Sequence, residues 1–253
     1  MAIFVVDGKP RHGKTAWVVS HMPDWLREAQ DGDFKIFSNV KINLGVGKLK
    51  KYADWMVGDI WSEKDRKNPH KLLFYWQNMD EWNLMKKGVI VCDEATRYFN
   101  ARNWNSLSQE TEIKLQQHGK EDLDVWAVTQ HYTRLDVSLR VLAESFYRAE
   151  RVWGFGSNST VVTRVSEHQL EDLDRYEALI RQRAEKEDAG IEEPETIAYE
   201  YLWINKNIKR MYDTKAKVLP SRPMPLHHEE RFCSDPHCPK HGRLGGKPKI
   251  AHI

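Results

Sequence analysis

Residues 1–15 read MAIFVVDGKPRHGKT: an apolar run, Ala2 to Val6, passes through Asp7 into Gly8-Lys9-Pro10-Arg11-His12-Gly13-Lys14-Thr15. The spacing is G-x-x-x-x-G-K-T, set where a buried strand should turn into a helix, the context in which this pattern cradles phosphate. The two glycines let the backbone curl until successive N–H groups face one anion, and a helix opening near Thr15 adds its positive end. A lysine at position 14 would neutralise the β and γ phosphates, and the Thr15 hydroxyl would complete a Mg²⁺ shell. Gly8, Lys9, Pro10, Arg11, His12, Gly13, Lys14, Thr15 and Ala16 are therefore the candidate nucleotide-binding residues. The motif identifies a nucleoside triphosphate site and leaves open what hydrolysis drives.

Two further stretches carry chemistry of the same kind. Gly88 to Cys92 (GVIVC) is a continuous apolar run, the pattern of a strand buried on both faces, and it ends in Asp93-Glu94. A carboxylate at such a strand end orients the Mg²⁺ shell, the role read for Asp93, while Glu94 polarises the attacking water. Leu123 to Thr129 (LDVWAVT) reads as another strand, followed by Gln130. Strand ends in open α/β sheets face the ligand crevice, so Gln130 is a candidate sensor of the γ-phosphate or of that water.

Around these stretches the chain alternates helix and strand. Ala16 to Gln30 predicts a helix that Pro23 kinks or divides, and Lys35 to Val40 a short strand. Leu72 to Lys87 reads as a helix whose Trp76, Met79, Trp82 and Met85 face the core. Further helices are predicted at Ser106 to His118, capped by Ser106 or Ser108, and at Asp136 to Ala143, capped by Asp136. Ser145 to Phe155 and Thr160 to Val165 look like strands joined across Gly154–Ser159. Glu167 to Asp188 is a charged, largely solvated helix, and Tyr199 to Trp203 a late strand. From Leu219 onward Pro, His and Gly dominate, which predicts an irregular tail. The fold class is thus α/β: a RecA-like P-loop core with a mostly parallel sheet flanked by helices, spanning 1–165. An extension covers 166–218 and a Pro/His/Cys-rich basic tail 219–253.

Composition bounds the remainder. The formal net charge of +2 does not announce a nucleic-acid binder, although the segment after Lys206 is rich in Lys, Arg and His. Three cysteines argue against a disulfide scaffold and fit a reducing compartment. No signal peptide and no run long enough to span a membrane is legible, so a soluble, intracellular protein is expected. Cys92 reads as a small core residue. In the tail, Cys233-x4-Cys238-x2-His241, with His228 as a fourth ligand, could close a tetrahedral Zn²⁺ site; the alternative is a disordered His-rich tail.

Taken in order, GKPRHGKT, VIVCDEA, Gln117-His118-Gly119-Lys120 through Val125, Thr129-Gln130 and Leu135-Asp136-Val137-Ser138-Leu139-Arg140 resemble the Zot (zonular occludens toxin) domain. That family includes the assembly ATPases of filamentous phages, and the resemblance covers about residues 1–165. It implies a RecA-like, ATP- and Mg²⁺-dependent motor working as a homo-oligomeric ring on DNA. Partners would be a viral coat, capsid or membrane-assembly protein, and the site of action the host cytoplasm, at a membrane or capsid, or in the virion. A ring also needs an arginine from the neighbour at the γ-phosphate. Arg102, Arg134, Arg140 and Arg148 are candidates, and Arg140 matches the family-like segment best. Filamentous-phage assembly ATPases carry a membrane span that is not legible here, which raises packaging into a capsid as a competitor to extrusion. A second reading is a nucleotide-dependent adaptor or scaffold that translocates nothing. A third, a secreted toxin-like factor, is opposed by the absence of a legible signal.

Overall fold

The computed structural model describes residues 1–46, 49–50, 56–101, 109–154, 160–183 and 194–212. The strands are β1 (Ile3–Asp7), β2 (Lys35–Ser38), β3 (Met56–Gly58), β4 (Lys71–Tyr75), β5 (Gly88–Cys92), β6 (Leu123–Val128), β7 (Ser145–Trp153), β8 (Val161–His168) and β9 (Ala198–Ile204). They form one nine-stranded sheet in the order β3-β4-β2-β5-β6-β1-β7-β8-β9. From β3 to β7 neighbouring strands are parallel; β8 and β9 are antiparallel additions at one edge. β1 and β5 sit inside because both their faces are apolar and need cover on both sides.

Helices supply that cover in two layers. On one face α1 (Lys14–Ser20), α2 (Met22–Asp31) and α7 (Lys206–Met211) bury Trp17, Val18, Val19, Met22, Leu26 and Met211 against Val6, Val89, Val91 and Val128. On the other face α4 (Gln109–Gln116), α5 (Val137–Leu142) and α6 (Leu170–Arg183) bring Leu115, Leu139 and Leu173 onto Ile3, Val5, Ile90 and Val125. A short α3 (Glu63–Arg66), capped by Ser62, lies between β3 and β4. Pro23 acts as expected: it falls in the first turn of α2, and α1 and α2 part at His21. Asp136 caps α5 by accepting the Ser138 N–H at 2.8 Å.

Several expectations need correction. Leu72 to Lys87 is not a helix: the KLLFY run forms β4, and Met79–Leu84 is a 3-10 turn. The spacing of three between Met79, Trp82 and Met85 is the 3-10 period, and Trp76, Trp82 and Met85 are buried as expected. Glu167 is not helical, because β8 continues to His168 and α6 begins at Leu170. The boundary expected at residue 165 therefore falls inside β8. β9 joins the same sheet and α7 packs on α1, so the extension is integral to the core. The expected caps Ser106 and Ser108, the Gly154–Ser159 turn beyond Gly154, and the whole tail from residue 213 lie outside the described residues. Among the described residues, no helix is long and apolar enough to cross a membrane.

Candidate nucleotide site

The site lies at the carboxyl ends of the parallel strands. β1 leads into the loop Gly8–Gly13, which opens directly into α1. Gly13, at φ 92°, and Gly8, at φ 142°, both occupy backbone regions that favour glycine. A Cβ on Gly8 would stand 2.3 Å from the Ala149 carbonyl oxygen on β7, so that position also requires the smallest residue. Among the described residues, no acceptor takes the backbone N–H groups of Gly13, Lys14, Thr15 or Ala16. These are the orphan donors of a helix start, gathered at one spot and available to an anion.

Lys14 reaches back across the loop, its Nζ donating to the carbonyls of Gly8 at 2.7 Å and Lys9 at 3.0 Å. Burial lowers its pKa, and the Asp93, Glu94 and Asp7 carboxylates pull in the other direction. The Thr15 hydroxyl lies 3.2 Å from each Asp93 carboxylate oxygen. Burial, followed by the neighbouring Glu94 charge, pushes the Asp93 carboxyl up to about 6; the Glu94 N–H, Thr15 and Lys14 oppose that rise. Glu94 is exposed and left-handed at φ 51°. A hydroxyl and a carboxylate are hard oxygen donors suited to Mg²⁺, which usually takes few protein ligands and completes its shell with phosphate and water. Among the described residues, no group of three or more His, Cys, Asp or Glu side chains offers an all-protein metal cage.

Strand order explains how these groups meet. β6 separates β1 from β5, so Gln130, just beyond β6, lies between the phosphate loop and the acidic pair. Gln130 is exposed, while Thr129 beside it is buried, its hydroxyl accepting the His131 N–H and donating to the His131 carbonyl.

The arginine candidates separate clearly. Arg148 is held within its own chain by a two-pronged pair with Asp7, at 3.2 Å on each prong. Arg140 is mostly buried, with Nη1 4.0 Å from Asp174. Arg134 is exposed, just past the end of β6, and no carboxylate pairs with it among the described residues. Arg102, Cys233, Cys238, His241 and His228 lie outside the described residues.

Sequence reading missed three contributors. Asn39, fully buried just past β2, pairs with the Asp93 backbone in both directions at 2.8 Å, donating to its carbonyl and accepting its N–H. The rule that flagged Gln130, a polar residue ending a buried strand, applies equally to Asn39. Tyr212 follows α7; burial and the charge on Asp93 push its hydroxyl pKa up. Thr163, on β8, touches the phosphate loop from behind. Nothing in the sequence links Tyr212 or Thr163 to residues so far upstream.

A glycine-bounded loop between strand and helix, its Lys-Thr pair and a facing acidic strand end together define a P-loop NTPase. The chain belongs to the Zot family: the family described as zonular occludens toxin (Zot) matches residues 2–217. It is 26% identical over 159 residues, 60% of this chain, to the Gene 1 protein of Escherichia phage If1, and spans only 42% of that relative's length. The N-terminal domain of zonular occludens toxin from Neisseria meningitidis is similar over 84% of this chain and 98% of its own, with 19% identity and a TM-score of 0.46. The genome packaging NTPase B204 from Sulfolobus turreted icosahedral virus 2, in complex with ATP-gammaS, is similar over 81% of this chain and 94% of its own, with 14% identity and a TM-score of 0.46. The family match extends well beyond residue 165 and takes in β9 and α7, in keeping with β9's place in the sheet and α7's packing on α1.

Proposed function

We propose that this chain is a Mg²⁺-dependent ATPase motor that moves a phage genome during virion morphogenesis. The observation that carries the enzymatic part is the Thr15 hydroxyl, 3.2 Å from both oxygens of Asp93. That contact joins the phosphate loop to the acidic strand end across the intervening strand. A divalent cation held by Thr15 and Asp93 would neutralise phosphate charge. Lys14, released from the Gly8 and Lys9 carbonyls, binds the β and γ phosphates. Glu94, exposed beside Asp93, orients and deprotonates water. Gln130 stands between them as the sensor.

The phage setting rests on family membership and on likeness to a phage-encoded relative. Action as a homo-oligomeric ring on DNA, alongside a coat, capsid or membrane-assembly protein in the host cytoplasm, belongs to the same proposal. In such a ring a neighbour's arginine completes the site. Arg140 must leave Asp174 to serve, whereas Arg134 is already exposed, so the alanine variants of both are to be compared. The discriminating experiment measures ATP hydrolysis with and without single- and double-stranded DNA, on material sized in the presence of nucleotide. DNA-stimulated hydrolysis by an ATP-dependent oligomer supports the motor. A monomer that binds ATP and ignores DNA contradicts it and favours the adaptor.

A further inference from the structure

The phosphate loop does not stand on β1 and α1 alone. The antiparallel pair β8–β9 passes behind it. A Cβ on Gly13 would sit 2.4 Å from Thr163 Oγ1 and 2.5 Å from Ile204 Cδ1, so both side chains press on the loop where it enters α1. Thr163 is fully buried, and its hydroxyl donates to the His12 carbonyl at 2.9 Å. Burial lowers the His12 ring pKa and the Ala149 backbone on β7 raises it by less, which sets the ring beside β7. β9 is placed by its antiparallel pairing with β8, from Val161 opposite Ile204 to Glu167 opposite Ala198, and Glu200 accepts the indole N–H of Trp17 on α1.

A peptide group is planar and trans, so the carbonyl of one residue and the N–H of the next point in opposite directions. A donor that fixes the His12 carbonyl toward β8 therefore turns the Gly13 N–H away from β8. Among the described residues, no acceptor takes that N–H. Without the donor, the His12–Gly13 peptide is free to rotate, since Gly13 tolerates many backbone angles. Hydrogen-bonding the carbonyl from outside thus aims an amide inward.

We propose that Thr163 is a positioning residue for nucleotide binding, its hydroxyl holding the His12–Gly13 peptide so that the Gly13 N–H faces the bound phosphates. This rests on the nucleotide reading above and adds to it a residue from the distal, antiparallel part of the sheet. It acts on ground-state binding, so it should alter affinity far more than turnover.

Thr163→Val keeps the shape and removes the donor, while Thr163→Ser keeps the donor and removes the methyl group. ADP is titrated with Mg²⁺ into the full chain and both variants. One hydrogen bond's net worth sets the expected loss in the valine variant at about five- to tenfold in Kd, with serine restored to within about threefold. At saturating ATP, kcat stays within about twofold in both. Wild-type affinity in the valine variant overturns the proposal, and so does equal weakening in both variants, which would make the contact packing alone. Failure of the parent chain to bind ADP overturns the nucleotide reading instead. The loop is then read directly from amide spectra of the ligand-free chains: the Gly13 resonance should move in Thr163→Val and stay in Thr163→Ser. Unmoved resonances in both variants overturn the clamp independently of any nucleotide.

Discussion

In the proposed mechanism Asp93 sets function against stability. Its carboxyl is raised from the ordinary 3.8 to about 6, chiefly by burial and then by Glu94, so its charged form is costly in the folded chain. A raised carboxylate penalises folding wherever it must ionise: fully above about pH 6, and progressively less as the pH falls toward 4. Asp93→Asn removes that charge and keeps an oxygen for the Thr15 hydroxyl and the Glu94 N–H. The variant should lose ATP hydrolysis and yet melt at a higher temperature than the parent at pH 8. The rise from 3.8 to about 6 caps this gain at roughly 3 kcal/mol, and the gain should shrink toward pH 4. Thermal melts across pH on ligand-free protein check both sign and window; a variant that melts lower at pH 8 contradicts the cause given for the shift. Gly8 is subject to a harder constraint. A Cβ there meets the Ala149 carbonyl oxygen at 2.3 Å, at a φ of 142°. Gly8→Ala should therefore cost about 3 kcal/mol or more in denaturant unfolding.

Among the elements, those that could be read from sequence were the ones whose cause is local. The phosphate loop, β5 and β6 each carry their signal within a few residues, and Pro23 divides α1 from α2 where a helix-breaking ring should. Leu72 to Lys87 misled because spacings of three and four both suggest a helix, while KLLFY is also a strand pattern; burial within the sheet decided for β4. What sequence could not reveal was pairing across distance. Asp7 with Arg148 and Thr163 with His12 are separated by 141 and 151 positions, and only the strand order that sets β7 beside β1, and β8 beside β7, brings them together. The same order made 165 a poor boundary. Ending the chain before Ala198 removes β9 and α7 and uncovers Thr163, Gly13 and the buried face of α1. The shortened chain should lose cooperative thermal unfolding by circular dichroism; a cooperative transition at the parent's temperature would show that the extension is separable.

For the whole molecule, the site is assembled from three strand ends, with the phosphate loop on β1, Gln130 past β6 and the acidic pair past β5, and the antiparallel edge braces the loop from behind. Every role assigned to these groups depends on Lys14 engaging phosphate and Glu94 engaging water. Steady-state ATP hydrolysis in Mg²⁺, measured side by side on the parent chain and on Lys14→Ala, tests this most directly. The expected result is turnover by the parent and a loss of about 100-fold or more in the variant, the scale seen when a group that stabilises transition-state charge is removed, with the far-ultraviolet circular dichroism unchanged. Hydrolysis by Lys14→Ala at the parent's rate would contradict the assignment of this site.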